Sequence, residues 1–139
     1  MRYIISGENP HRHFLQIEFV VSNISGESLE LQLPAWRPGR YVLQNFSKNI
    51  RAFAVYDEKG KSLSFEKITK DKWKVEIKNA KQVHVKYEYY ANVLDAGSTY
   101  LDDKQLYVNP VNCLLYVPGR ENEKCEVQLN IQKKYMVTF

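Results

Sequence analysis

The stretch His13-Phe14-Leu15-Gln16-Ile17-Glu18-Phe19-Val20-Val21-Ser22 carries the clearest structural signal in this sequence of 139 residues. The odd-numbered positions of residues 13–21 are apolar after the leading histidine, whereas Gln16, Glu18 and Ser22 fall on the other face. Because successive side chains of a strand point to opposite faces, this pattern predicts a long β-strand with one buried face.

A second alternating run follows directly. Leu29, Leu31 and Leu33 are separated by polar residues, and the turn-like Ser25-Gly26-Glu27 lies just before them. We therefore expect the two runs to form a hairpin.

The same alternation recurs to the end of the chain, without a helical period. The further predicted strands cover residues 51–56, 63–68, 72–78, 83–91, 113–117 and 125–132. These runs predict an all-β domain, an antiparallel β-sandwich of about eight to ten short strands with two long irregular loops.

The first irregular segment is Leu33-Pro34-Ala35-Trp36-Arg37-Pro38-Gly39-Arg40-Tyr41, which continues to Lys48. Its prolines lack backbone donors, Gly39 permits a sharp reversal, and the ring of Trp36 is large enough to anchor the bend on a sheet edge. We interpret Trp36, Pro38, Gly39 and Tyr41 mainly as a structural loop, with direct ligand contact as the alternative.

The second irregular segment, residues 94–104, is long and polar and contains Asp95, Asp102 and Asp103. Long loops on a β scaffold are the usual place for binding groups, so this segment is a candidate site.

Composition limits the classes of partner. Twenty Lys and Arg residues against sixteen Asp and Glu give a net charge of +4, but the basic residues are scattered, which argues against a nucleic-acid surface. The N-terminus runs from Met1 into Gly7 without an apolar stretch, so we expect no signal peptide, no membrane association and a cytoplasmic location. One domain, residues 1–139, is expected from the length.

The sequence contains no recognisable catalytic or metal motif. Asp102 and Asp103 are adjacent and point opposite ways in an extended segment, which makes them a poor catalytic pair. His11 and His13 have no third zinc ligand that can be placed, so we predict no metal site and no cofactor in this chain. Cys113 and Cys125 are compatible with a disulfide or with two free thiols.

Taken together, the two irregular segments resemble a known family. Residues 33–41, followed by Phe46 and residues 50–53, resemble the Leu-Pro-Ala-Trp-x-Pro-Gly-Ser-Tyr segment in the N-terminal domain of the glycyl aminopeptidase family. The similarity continues through residues 71–75, 85–91 and 99–103 to Leu115-Tyr116-Val117-Pro118-Gly119. Arg40 stands where the family usually has Ser, and residues 105–110 replace a segment commonly rich in Gly and Phe.

The resemblance implies a non-catalytic N-terminal domain of a longer zinc metallopeptidase, whose thermolysin-like catalytic domain and PDZ domain lie further along the same chain. It also implies that one loop reaches the catalytic cleft and binds the free amine of a peptide substrate. The substrate-binding candidates on that loop are Tyr100, Asp102, Asp103 and Asn109, with either aspartate as the anion. The alternative for these carboxylates is turn capping or pairing with lysines.

Two other functions remain open from the sequence. A free-standing β-sandwich module would bind protein or carbohydrate through Trp36, Tyr41, Tyr90 and Tyr100. A stand-alone hydrolase would use Asp102 with His84. Sequence beyond residue 139 would distinguish a free-standing binding module from a domain of a metallopeptidase, because a His-Glu-x-x-His helix there indicates a metallopeptidase.

Overall fold

The computed structural model describes residues 1–131 and Tyr135, and strands make up most of the regular secondary structure of these residues. The strands are β1 Arg2–Ser6, β2 Phe14–Ser22, β3 Ser28–Gln32, β4 Ile50–Asp57, β5 Phe65–Lys67, β6 Lys72–Glu76, β7 Gln82–Tyr90, β8 Tyr100–Leu101, β9 Leu106–Tyr107 and β10 Glu126–Asn130. Two 3-10 helices cover Pro10–Arg12 and Phe46–Asn49, and a single-turn helix, α1, covers Pro110–Cys113. The predicted all-β class is confirmed.

The strands form two larger sheets and one small hairpin. The first sheet has the order β10-β1-β2-β7-β4, the second has the order β3-β6-β5, and β8 pairs with β9. Every pairing is antiparallel except that of β1 with β10, which is parallel.

The core lies between the two larger sheets. Phe19 of β2 is fully buried and stacks on Tyr3 of β1, with ring centroids 4.5 Å apart. Phe53 stacks on Trp73 of the second sheet at 4.9 Å and also contacts Tyr87 of the first sheet. Burying each such side chain contributes about 1.5–3 kcal/mol, so this layer holds the sandwich together.

Strand β2 uses both of its edges within the first sheet, and this overturns the predicted hairpin. It pairs with β1 on one side and with β7 on the other, so β3 has no free edge to join. The connecting residues Asn23 and Gly26 have φ values of 55° and 86°, which turn the chain towards the second sheet, where β3 pairs with β6.

The predicted strand over residues 113–117 is also wrong. Cys113 ends α1, and Tyr116 makes only an isolated bridge with Gln32. Two buried tyrosines, and not a neighbouring strand, bind the backbone carbonyls of this segment. The Tyr87 hydroxyl donates to the carbonyl of Cys113 at 2.6 Å, and the Tyr3 hydroxyl donates to that of Leu115 at 2.7 Å.

Two further differences from the predicted strands lie at the ends of the chain. The sequence pattern did not single out β1, which lies between β10 and β2 in the first sheet. The last strand ends at Asn130, and Gln132, where it was predicted to end, lies outside the described residues. Among the described residues, Cys113 and Cys125 are both free thiols, the first buried and the second exposed.

Candidate functional site

The first irregular segment, residues 33–45, folds into a closed bend. Arg37, Pro38, Gly39 and Arg40 form a β-turn in which the Arg40 N–H donates to the Arg37 carbonyl at 3.3 Å. Gly39 has a φ of 86°, the value that the third position of a type II turn requires, and Pro38 before it fits the second position. The Gln44 N–H donates to the Ala35 carbonyl at 2.7 Å and closes the base.

Trp36 braces this bend from within. Its indole Nε1 donates to the Arg40 carbonyl oxygen at 2.6 Å, while half of the side chain stays exposed. Tyr41 is fully exposed, and Val42 and Leu43 beside it are largely exposed. The segment therefore holds large apolar side chains out in solvent on an ordered backbone.

In the structure the second irregular segment comprises residues 91–99, because β7 ends at Tyr90 and β8 begins at Tyr100. Its own polar groups fix its conformation. Asp95 accepts a hydrogen bond from the Gly97 N–H at 2.7 Å, and this N–H, Ser98 and the charge of Arg40 hold the pKa of the carboxyl below its ordinary value. The Gly97 carbonyl accepts from the side-chain amides of Asn109 at 3.1 Å and Asn112 at 2.8 Å.

Arg37 joins the two segments. Its guanidinium lies directly against Gly97, at the place that a Cβ would occupy if residue 97 had one. Gly97 thus allows the first bend to close onto the second segment, a contact that the sequence did not indicate. Val93 and Leu94 are exposed beside this junction.

A cavity of about 160 Å³ lies where the segments meet, lined by Gln44, Asn49, Tyr89, Val93, Thr99 and Asn112 among others. Asn49 donates to the Tyr89 hydroxyl at 3.1 Å, and burial raises the pKa of Tyr89 to about 12. Asn112 is buried, and its Oδ1 accepts no hydrogen bond from any described residue. Neither Asn49 nor Asn112 stood out in the sequence, because only the fold brings them together.

The two candidate anions of the β8–β9 hairpin differ in their hydrogen bonding. Asp102 Oδ1 accepts from the N–H groups of Lys104 and Gln105, both at 2.8 Å, and Oδ2 accepts from the Tyr100 hydroxyl at 3.1 Å. These bonds lower the pKa of Asp102 and raise that of Tyr100. Asp103, next in the turn, has no hydrogen bond or ion pair with any described residue.

Asn109 has a local role. It is the N-cap of α1, where its Oδ1 accepts from the Val111 N–H at 3.3 Å, and its own N–H donates to the Thr99 hydroxyl at 3.0 Å. Of the four predicted substrate-binding residues, Tyr100, Asp102 and Asn109 thus bond mainly within the second irregular segment and the hairpin after it. Tyr100 is also half-buried, not exposed as the binding-module alternative required.

The histidines lie elsewhere. His13 precedes β2 in a left-handed conformation instead of opening the strand, and its Nδ1 is 2.6 Å from the Leu101 carbonyl oxygen. His84 lies on β7, with Nδ1 2.7 Å from Glu18 Oε1 and Nε2 2.9 Å from Gln82 Oε1. No hydrogen bond joins His84 to Asp102, so the described residues do not assemble the pair that a stand-alone hydrolase would need.

Across residues 1–131 and Tyr135, no three His, Cys, Asp or Glu side chains come together as a metal ligand set. In the same part of the chain, no helix has the length and apolar character needed to cross a membrane.

A family model and a solved structure both relate this chain to peptidases. The model of the family described as peptidase M61 N-terminal domain matches residues 2–139. Among solved structures, the chain is similar to an aminopeptidase N family protein from Idiomarina loihiensis, with 31% identity and a TM-score of 0.87. That match covers 96% of this chain but only 22% of the other. No curated protein matches.

Proposed function

This chain belongs to the peptidase M61 N-terminal domain family, and we propose that it acts as a non-catalytic scaffold and substrate-cleft domain of a zinc metalloaminopeptidase. In this role it would help to position the amino terminus of a peptide substrate. The observation that carries the proposal is the difference between the two neighbouring aspartates of the β8–β9 turn.

Asp103 is the anion available to a ligand. The Asp102 carboxylate is occupied by two backbone N–H groups and the Tyr100 hydroxyl, whereas the Asp103 carboxylate has no partner among the described residues. A peptide amino terminus is mostly an ammonium group at neutral pH, and a carboxylate makes a charge-assisted hydrogen bond with it. We therefore assign the substrate contact to Asp103 and the shaping of the turn to Asp102.

The position of the hairpin supports this assignment. The Tyr135 hydroxyl donates to the carbonyl oxygen of Asp102, so Tyr135 lies beside the turn. Because the family is that of an N-terminal domain, the rest of a peptidase would follow Tyr135 in the polypeptide. The turn that carries Asp103 would then lie close to the start of the next domain.

Zinc would be held outside the described residues, since they offer no set of three ligands. The zinc dependence, the PDZ domain and a preference for amino-terminal glycine are proposed from the resemblance to the glycyl aminopeptidases. In this arrangement the β domain contributes an anion and a wall of the cleft, and the catalytic domain contributes the metal.

The test is Asp103→Asn in the full-length protein, with glycyl-p-nitroanilide as substrate. Loss of a charge-assisted bond of about 1.5–3 kcal/mol should raise KM at least about 10-fold, with a smaller change in kcat. Glu66→Gln is the matched control, because Glu66 is an exposed carboxylate on the second sheet. An unchanged KM for Asp103→Asn, or an equal rise for Glu66→Gln, would exclude the assigned role.

A further inference from the structure

The exposed apolar side chains are concentrated on one part of the molecule. Eleven large hydrophobic residues are exposed in the described part of the chain, and six of them lie on the two irregular segments. We name these six the loop face; its members are Trp36, Tyr41, Val42, Leu43, Val93 and Leu94. Isolated exposed hydrophobics are ordinary, whereas a cluster of them marks an interaction surface.

Hydrogen bonds hold the backbone of the first half of the loop face. The Trp36 indole N–H, the Arg37–Arg40 turn and the Gln44–Ala35 hydrogen bond fix the first segment. A flexible loop could fold its apolar side chains onto the sheet, but these bonds hold them outward. The exposure is therefore a property of the fold.

The two halves of the loop face are also held together. The Arg37 guanidinium packs on Gly97, and the charge of Arg40 acts on the Asp95 carboxylate. Asn112 lines the cavity at the junction, and its buried Oδ1 accepts no hydrogen bond from a described residue. Arg40 and Lys48 are exposed at the margin and carry positive charge.

We propose that the loop face is the surface on which this domain docks against the catalytic part of the same polypeptide. The proposal rests on the proposed function, because it requires the domain to be part of a larger peptidase. The match covers 22% of the similar aminopeptidase N family chain, so more than three-quarters of that protein lies outside the matched region and could offer a surface to this domain. The complementary surface would be apolar at its centre, with carboxylates facing Arg40 and Lys48.

Hydroxyl-radical footprinting of the full-length protein tests the proposal within a single molecule. Within this domain Tyr41 is 102% exposed and Phe65, on β5, is 40% exposed, so without docking Tyr41 is the more reactive after correction for intrinsic rates. Docking should make Tyr41 less reactive than Phe65, and we expect Tyr41 to be protected at least 10-fold more than Phe65. Protection of Tyr41 equal to or below that of Phe65 overturns the proposal.

A pair of substitutions provides the second measurement. Leu43→Asp, at a position that is 81% exposed, should remove the protection of Tyr41 and separate the unfolding of this domain from that of the remainder. Ile68→Asp, at an exposed site just after β5, should change neither. If both variants retain the protection, docking does not use this surface.

A second copy of the chain is the competing occupant. Protection of Tyr41 that increases with protein concentration, together with a dimer in light scattering, would overturn the intramolecular assignment. This test and the test of Asp103 can fail independently. Protection of Tyr41 together with an unchanged KM in Asp103→Asn would exclude only the substrate role of Asp103. A raised KM in Asp103→Asn without protection of Tyr41 would exclude only the docking surface.

Discussion

The hydroxyl of Tyr87 donates a 2.6 Å hydrogen bond to the carbonyl oxygen of Cys113, and both residues are buried. The same hydroxyl accepts a longer bond from the Leu115 N–H, so a single side chain serves the backbone of a segment that belongs to no sheet. Burial raises the pKa of Tyr87 well above its ordinary value and keeps the hydroxyl protonated.

Tyr87→Phe should therefore lower the free energy of unfolding by about 2 kcal/mol, since a buried carbonyl left without its donor costs about 1–3 kcal/mol. Urea unfolding followed by fluorescence measures the change. Tyr90→Phe, on the same strand but exposed, should change the stability by less than about 0.5 kcal/mol. Equal losses in the two variants would contradict the role assigned to the Tyr87 hydroxyl.

Asp102 should make stability depend on pH. Its folded-state pKa lies below the unfolded value because the Gln105 and Lys104 N–H groups stabilise the carboxylate. The contribution is thus fully present above the unfolded pKa of about 4 and is lost as the pH falls through the folded pKa. The difference in urea midpoint between the native sequence and Asp102→Ala should be larger at pH 7 than at pH 2.5. A difference independent of pH would show that the carboxylate charge does not matter.

Gly39→Ala should open the first irregular segment to protease. A Cβ at a φ of 86° costs about 1–2 kcal/mol, which raises the open fraction roughly 5- to 30-fold, so trypsin should cut after Arg40 faster by that factor. Gly119→Ala introduces the same strain at the same φ elsewhere and should leave cleavage after Arg40 unchanged. Unaltered cleavage in Gly39→Ala would mean that the turn does not limit access.

Arg37 and Gly97 should be energetically coupled. In Gly97→Ala the new Cβ displaces the Arg37 guanidinium, whereas in an Arg37→Ala background the same methyl group meets no guanidinium. A double-mutant cycle on the free energy of unfolding should give an interaction of about 1 kcal/mol, within the usual range for residues in contact. Strict additivity would show that the contact between Arg37 and Gly97 contributes nothing to stability.

The two cysteines should react at very different rates. Burial raises the pKa of the Cys113 thiol to about 12, and Cys125 is exposed. Since the thiolate is the reactive species, iodoacetamide at pH 8 should modify one site per folded molecule and two after unfolding in urea. Cys125→Ser should abolish labelling of the folded state, and persistent labelling would show that Cys113 is accessible.

Residue alternation was sufficient to predict the fold class and most strands, but it could not assign partners. The Leu29–Leu33 run looked like the second arm of a hairpin because it follows a turn, yet both edges of β2 were already used by β1 and β7. Edge occupancy is a property of the whole sheet and cannot be read from a local pattern.

The site was predictable only to the level of segments. The Pro38-Gly39 turn could be anticipated from residue type, because few sequences meet its backbone requirement. The contact of Arg37 with Gly97 and the buried hydrogen bond of Asn112 to the Gly97 carbonyl could not be anticipated, because each joins residues that are not neighbours in the chain. Asp102 and Asp103 look equivalent in sequence, and only the hydrogen bonds of the turn distinguish them.

The parallel pairing of β1 with β10 has a consequence for how the domain is made. Arg2 lies beside Glu126, so one edge of β1 stays unpaired until β10 has been synthesised near the end of the domain. At about 5–20 residues per second, this interval is about 6 to 25 s. During that time the open edge of β1 is available to pair with another nascent chain, which is a route to aggregation.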